Sequence, residues 1–128
     1  MRPFRVSALV LSLASGCSAI FSPGRPVILG ITEVRAPATV QRDAAFNVTF
    51  IVQTGGCVNF RRMQLTQTSS SATVTAHGWD GSGRGIACTA DIRYEPQEVA
   101  MKPPFSDPFV VRAQQPNGSE ITAQVRVQ

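Results

Sequence analysis

The sequence has few of the segments and residues on which membrane-spanning and metal-binding proteins depend. Its longest apolar stretch covers residues 6–14, about half of the roughly twenty residues that a membrane-spanning helix needs. A transmembrane helix is therefore not expected. The chain has a single histidine, His77, and no closely spaced cysteine pair, which argues against a metal site. We expect no metal and no other cofactor.

Helical periodicity and catalytic motifs are also missing. No segment keeps an apolar period of 3.6 residues over three turns, and neither Gly-x-Ser-x-Gly nor His-Glu-x-x-His occurs. A triad-like cluster could be drawn from His77, Asp80 and Asp91 with a nearby serine, but a half-exposed strand histidine beside a loop aspartate explains these residues better. The sequence predicts a protein that is not an enzyme, and it identifies no small-molecule substrate.

The glycine-rich run at residues 81–85 has no phosphate-binding context. A phosphate loop is followed by a helix, and in the Walker motif by a Lys-Ser or Lys-Thr pair, whereas here an alternating apolar segment follows. The run is interpreted as a hairpin loop.

The positive charge is not arranged as in a nucleic-acid-binding protein. The formal net charge of +4 falls to +2 when Arg2 and Arg5 are removed with the first sixteen residues. The other arginines are scattered, and only Arg61 and Arg62 are adjacent. Because nucleic-acid binders cluster basic residues on one face with interleaved aromatics, no nucleic-acid partner is expected.

The first seventeen residues form a secretion-type pattern. Arg2 and Arg5 precede the short apolar stretch, and the segment ends in Leu13-Ala14-Ser15-Gly16-Cys17. Small residues before a cysteine resemble the lipobox of bacterial lipoproteins. The resemblance implies cleavage before Cys17, lipid on that cysteine, and a place in the cell envelope, anchored to a bilayer. Ser18 in place of aspartate favours the outer membrane where there is one. The alternative is an ordinary signal peptide that leaves Cys17 unmodified.

The cysteine count agrees with lipidation. The chain has three cysteines, Cys17, Cys57 and Cys88, and a free thiol is unfavourable in an exported protein. If Cys17 carries lipid, Cys57 and Cys88 are left to form one disulfide that closes a loop of about thirty residues.

Alternation of apolar and polar residues predicts strands throughout the rest of the chain. The clearest strands are residues 46–52, 86–94 and 121–127, and weaker ones fit 27–35, 58–66, 72–79, 97–101 and 109–114. The apolar parity changes at Arg61-Arg62, which predicts a β-bulge. Asn117-Gly118 predicts a tight antiparallel hairpin between the last two strands. Cys88 and Tyr94 share the inward parity of their strand.

These elements predict an all-β protein: a single antiparallel two-sheet sandwich of about seven to eight strands. The expected division is a signal peptide over 1–16, a flexible tether over 17–26 and the sandwich over 27–128. The pattern resembles the immunoglobulin-like domains of small bacterial envelope proteins. It differs from true immunoglobulin domains in its cysteine spacing, with Trp79 close to Cys88. A fold resemblance of this kind implies no function.

The predicted function is that of a membrane-anchored envelope lipoprotein with a non-enzymatic binding or structural domain. Its expected partners are the lipid bilayer, through Cys17, and another envelope protein. The alternative is a protease inhibitor or a glycan-binding module that uses residues 79–85. Trp79, Arg84 and Phe105 are the candidate binding residues, because Trp79 and Phe105 lie beside predicted loops and Arg84 lies within one.

Overall fold

A computed structural model describes residues 24–128 and contains nine β-strands and no helix within them. The predicted signal peptide, Cys17 and residues 18–23 of the tether lie outside the described residues. The strands are β1 Arg25–Ile28, β2 Ile31–Arg35, β3 Thr39–Val40, β4 Phe46–Thr54, β5 Val58–Gln67, β6 Ser71–Asp80, β7 Arg93–Met101, β8 Phe109–Gln114 and β9 Glu120–Val127. The predicted all-β class is confirmed.

The strands form two sheets that pack as a sandwich. The larger sheet is built around β6, with β5 along one edge and β1 and β8 sharing the other, followed by β9 and β3. The smaller sheet has the order β2-β4-β7. Most pairs are antiparallel, but β6 with β8 and β3 with β9 are parallel. The predicted sandwich is confirmed. It has nine strands rather than seven or eight, and these two pairs are parallel where antiparallel pairs were expected.

The core lies between the sheets, and both sheets contribute to it by alternation. On β4 the side chains of Val48, Phe50 and Val52 are fully buried, as the alternating sequence predicts. They face apolar side chains of the larger sheet. The other buried apolar residues are Leu29, Ile31, Val40, Ala72, Val74, Ala76, Met101, Phe105, Phe109, Val111, Ala113, Val125 and Val127.

The sandwich has two distinct ends. At one end lie Gly24, the β4–β5 turn (residues 55–57) and the long β6–β7 loop (residues 81–92). We call this the disulfide end. The opposite end holds the β3–β4, β5–β6 and β7–β8 connections, and we call it the proline end after Pro103, Pro104 and Pro108.

Two local predictions are confirmed. The register of β5 against β6 shifts between Phe60 and Arg62, which is the predicted bulge. β8 pairs antiparallel with β9 across the Asn117-Gly118 turn. Gly118 has a φ of 84°, and the Asn117 side chain accepts a hydrogen bond from the Ser119 amide at 3.0 Å. Glycine suits this position because other residues rarely adopt a positive φ.

The strand predicted over residues 86–94 is wrong for its first seven residues. Residues 86–92 belong to the β6–β7 loop, and β7 begins at Arg93. This loop carries the chain from the larger to the smaller sheet, so it is not a hairpin loop. Its backbone has no neighbouring strand to pair with, and alternation alone does not make a strand without such a partner.

Side-chain directions predicted from that strand are also wrong. Cys88 is exposed rather than buried in the core, and Tyr94 is 59% exposed. At the N-terminal side, the domain begins earlier than expected, because Arg25 and Pro26 belong to β1 and not to a tether. The strand predicted over 27–35 is divided at Gly30, where the chain passes from the larger sheet to the smaller one.

A glutamine side chain bridges the sheets beside this division. The Ile31 amide donates to Oε1 of Gln115 at 3.2 Å, and Nε2 of Gln115 donates to the Ile31 carbonyl at 3.0 Å. Ile31 is 1% exposed, so water does not reach its side chain. The glutamine amide therefore replaces a neighbouring strand for one residue of β2.

We predict that Gln115→Ala lowers the free energy of unfolding by about 1–3 kcal/mol, because it leaves the backbone groups of Ile31 unsatisfied. Urea denaturation followed by circular dichroism measures the change. Gln114→Ala is the matched control, since Gln114 bonds only the exposed Glu120 side chain among its side-chain contacts in residues 24–128. Equal effects of the two substitutions would contradict the bridging role.

Candidate functional site

A disulfide joins Cys57 to Cys88 at the disulfide end. Their Cα atoms are 5.2 Å apart and 31 positions apart in the chain, so the predicted pairing is confirmed. Cys57 lies in the turn that leads from the smaller sheet to the larger, and Cys88 lies in the loop that leads back. The bond therefore ties together two of the places where the chain passes between sheets.

Asp80 organises the start of the β6–β7 loop. Its Oδ1 accepts from the Ser82 amide at 2.9 Å, and its Oδ2 lies 3.3 Å from the Arg25 guanidinium. Hydrogen bonding from the side chain and the backbone of Ser82 is the main cause that holds the pKa of Asp80 below its ordinary value of 3.8, and the positive charge of Arg25 adds to it. The carboxylate thus connects the loop to the first residue of β1.

Asp91 organises the other end of the same loop. Its carboxylate accepts from the Thr89 hydroxyl, from the Gly56 amide at 3.3 Å and from the Arg93 guanidinium at 3.0 Å. The Thr89 hydrogen bond is the main cause that keeps the pKa of Asp91 below 3.8, with contributions from Gly56 and Arg93. Like the disulfide, Asp91 attaches the loop to the β4–β5 turn.

Trp79 is half-buried on the outer face of the larger sheet. The Arg61 guanidinium lies 5.8 Å from the centre of its ring, a cation–π distance. The backbone of Gly24 packs on the ring edge: a Cβ at Gly24 would stand 2.5 Å from Nε1 of Trp79. Trp79 forms one wall of a hollow of about 380 Å³, shared with Pro26, Arg61, Arg62, His77 and Gly78.

The three candidate binding residues do not form one site. Phe105 is 1% exposed and packs on Phe46 and Phe109 at the proline end, with ring centres 4.9 and 5.1 Å away. Its prediction as a binding residue is wrong, because the β7–β8 connection folds inward over the core. Trp79 and Arg84 both lie toward the disulfide end, and Arg84 is exposed within the β6–β7 loop.

The residues considered for catalysis are not brought together. Nε2 of His77 lies 2.7 Å from Oε1 of Gln64 on the outer face of the larger sheet. Asp80 is three positions further along β6 and follows its inward parity. Asp91 is engaged with the β4–β5 turn. His77 is thus a half-exposed strand histidine, as the simpler interpretation holds.

A group of exposed apolar side chains was not predicted from the sequence. Four large hydrophobic residues are strongly exposed within residues 24–128: Ile28, Ile86, Ile92 and Tyr94, at 38%, 43%, 59% and 59%. Ile86 and Ile92 lie in the β6–β7 loop and Tyr94 is the second residue of β7, and all three share the parity that the predicted strand over residues 86–94 turned toward the core. Ile28 and Ile92 line one hollow of about 530 Å³ beside the β4–β5 turn.

Within residues 24–128 no helix has the length and apolar character required to cross a bilayer. The same part of the chain contains no group of three or more histidine, cysteine, aspartate or glutamate side chains that could hold a metal ion. The chain matches no protein-family model, no curated protein and no solved structure.

We predict that the double variant Cys57→Ala/Cys88→Ala loses roughly 3.5–4 kcal/mol of unfolding free energy in the chain-entropy model, because the closed loop restricts the unfolded chain. Urea titration measures the loss, and reduction of the unaltered protein should reproduce it. A reductant should then have no further effect on the variant. Unchanged stability would show that the bond does not constrain the chain.

We predict that stability falls as the pH drops below 3.8 through the lowered pKa values of Asp80 and Asp91. A carboxylate with a lowered folded-state pKa stabilises the fold above its unfolded pKa and loses that contribution on protonation. Asp80→Asn/Asp91→Asn should therefore show a shallower decline of the urea midpoint in acid. Asp43→Asn, at an exposed carboxylate of the proline end, is the control. An equally steep decline in the double variant would contradict this.

Proposed function

We propose that this protein is a lipoprotein of a bacterial envelope, anchored to the outer membrane where there is one, through lipid on Cys17. Its sandwich acts there as a non-enzymatic binding or structural domain, with another envelope protein as its partner. The lipobox-like Leu13-Ala14-Ser15-Gly16-Cys17 sequence supports the anchor. The disulfide that uses the other two cysteines supports it independently, because Cys17 is then the one cysteine left for modification.

The lipobox-like sequence carries the proposal, and the short distance along the chain between Cys17 and the first strand indicates which end of the sandwich the lipid would hold. β1 begins at Arg25, eight positions after Cys17. A chain of eight residues spans at most about 29 Å when fully extended. A lipid on Cys17 would therefore hold the disulfide end of the sandwich beside the bilayer.

The side chains at this end support a binding or structural role. Asp80 and Asp91 are both committed to hydrogen bonds and ion pairs that hold the loop. His77 is paired with Gln64 on another surface. A nucleophile, base and orienting group that converge on one point are what a hydrolase would need, and these residues serve the architecture instead.

The inhibitor or glycan-binding alternative would use Trp79 and residues 81–85. Glycan sites commonly present an open aromatic face, whereas the Arg61 guanidinium stands over the Trp79 ring and Gly24 covers its edge. The β6–β7 loop is also tied to the β4–β5 turn by the disulfide. The arrangement favours the anchored structural or binding domain over this alternative.

We predict that the native protein, extracted with detergent from the membrane fraction, begins at Cys17 and has the mass of that chain plus attached acyl groups. Intact-mass spectrometry measures the modification and, with thiol alkylation, shows two blocked sulfurs from the disulfide. Cys17→Ser should abolish the added mass and the detergent-dependent extraction, because no thioether forms.

Ser18→Ala is the matched control, since it changes the neighbouring residue and leaves the cysteine in place. It should retain the acyl mass. An unmodified native protein that is released without detergent would refute the proposed anchor.

A further inference from the structure

We propose that the disulfide end is a second membrane-contact site, which docks on the headgroup region of an anionic phospholipid bilayer. The contact surface comprises Ile86 and Arg84 of the β6–β7 loop, Ile92 and Tyr94 where the loop enters β7, and Ile28 of β1. We call it the docking surface. The proposal rests on the Cys17 anchor for its orientation, but its chemistry belongs to the folded domain.

The apolar part of the docking surface is unusual in its placement. The four strongly exposed large hydrophobic residues of residues 24–128 are Ile28, Ile86, Ile92 and Tyr94, and all lie at or near the same end. Scattered single hydrophobic residues are normal on a protein surface, but a group at one end indicates a site of interaction. Tyrosine is enriched at the interface between membrane and water, and exposed aliphatic side chains add apolar area that is buried at the boundary between headgroups and acyl chains.

The charges at this end complement an anionic surface. Arg25 and Arg93 pair with Asp80 and Asp91, and their side chains remain 76% and 46% exposed. Arg84 is exposed in the loop and has no ion pair within the described part of the chain. These two carboxylates are thus offset by two arginines. Glu95, beside Tyr94, is a third carboxylate, and it accepts a hydrogen bond from the Thr54 hydroxyl at 2.7 Å. Arg84, together with Arg61 and Arg62 near Trp79, outweighs it and leaves this end with a positive net charge. A basic residue near an anionic bilayer strengthens binding about fivefold.

The position of the chain selects a bilayer as the occupant. Gly24 packs against Trp79 at the disulfide end, and the covalent path from there to Cys17 is seven residues, at most about 25 Å. The lipid anchor therefore brings the bilayer to this end rather than to the proline end. Another protein would have to compete for the docking surface with the bilayer, which the anchor keeps nearby.

The loop is held in shape before it meets the membrane. The Cys57–Cys88 bond fixes its middle, Asp80 fixes its start and Asp91 fixes its end. A loop ordered in advance loses less conformational entropy on binding than a free one. Ile86 and Ile92, which flank Cys88 in the chain, therefore keep fixed positions on the surface of the domain.

The test follows hydrogen exchange of residues 81–94 in the full lipidated protein, reconstituted into vesicles of phosphatidylcholine alone or of phosphatidylcholine with phosphatidylglycerol. We expect several-fold slower exchange in this segment on the anionic vesicles, with added salt reversing the change. Arg84→Gln should lower the equilibrium constant for docking about fivefold and so reduce the protection, and Ile86→Ser/Ile92→Ser should remove it. These residues are exposed, so the fold should tolerate both changes.

Two matched controls lie at the proline end. Arg126→Gln removes an exposed arginine and Val110→Ser removes a half-buried aliphatic side chain. Both should leave the protection unchanged. Equal exchange on the two kinds of vesicle, or an equal effect of Arg84→Gln and Arg126→Gln, would overturn the proposal. Protection that rises with protein density rather than with phosphatidylglycerol would also overturn it and assign the surface to a second copy of the chain.

The failure of the anchor and the failure of the docking surface give different results. The mass of the same purified sample reports lipid on Cys17. If that lipid is absent, cosedimentation of the unlipidated protein with phosphatidylglycerol vesicles tests the docking surface alone: binding that Ile86→Ser/Ile92→Ser weakens supports it, and no binding refutes it. If the lipid is present and exchange is unaffected by the vesicle composition, only the docking surface is refuted.

Discussion

The structure depends on one disulfide bond, which joins two of the connections through which the chain crosses from one sheet to the other. The sandwich is built from segments that alternate between the larger and the smaller sheet, and three of these connections meet at the disulfide end: Gly30, the β4–β5 turn and the β6–β7 loop. The Cys57–Cys88 bond joins the second to the third. A domain of this size buries a limited fraction of its surface, so a link that holds the sheets in position at their open end complements the core.

Polar groups around the disulfide extend the same constraint. Asp91 binds the amide of Gly56, next to Cys57, and Asp80 ties the loop start to Arg25. Gln115 satisfies the buried backbone of Ile31 where the chain changes sheets. These contacts lie where the chain leaves one sheet or enters the other: Asp91 binds turn backbone, Gln115 binds the first residue of β2, and Asp80 joins the loop start to β1. The long loop is thereby ordered although it lacks ladder hydrogen bonds, and its apolar side chains stay outside the core.

The sequence predicted those parts of the fold that depend on local pattern. Alternation located β4 and β9, the parity change located the bulge at Arg61, and Asn117-Gly118 identified the final hairpin. Parity failed for Ile86 and Ile92, because inward and outward faces exist only where a strand has partners, and the loop has none. Tyr94 does lie in a paired strand, but β7 turns Val99 and Met101 toward the core and leaves Tyr94 on the outer side. Phe105 was misplaced because a nearby proline-rich connection suggests a surface, while the aromatic cluster with Phe46 and Phe109 forms through contacts distant in the chain. No local sequence pattern indicates the parallel pairs β6–β8 and β3–β9, since they depend on which sheet the chain enters after each connection.

In the proposed arrangement, the anchor and the docking surface act together through distance. A domain that cannot move more than about 29 Å from its lipid meets the bilayer at an effective concentration on the order of millimolar or higher. Without the anchor, two isoleucines, a tyrosine and Arg84 would bind the protein to a bilayer only weakly. At such an effective concentration, however, the contact between the docking surface and the bilayer is populated for much of the time. The lipid then determines that the domain stays at the membrane, and the docking surface determines how it is oriented. Because the disulfide end faces the bilayer in this orientation, the proline end points away from it and the outer faces of both sheets point to the side, so these are the surfaces on which an envelope partner would be met.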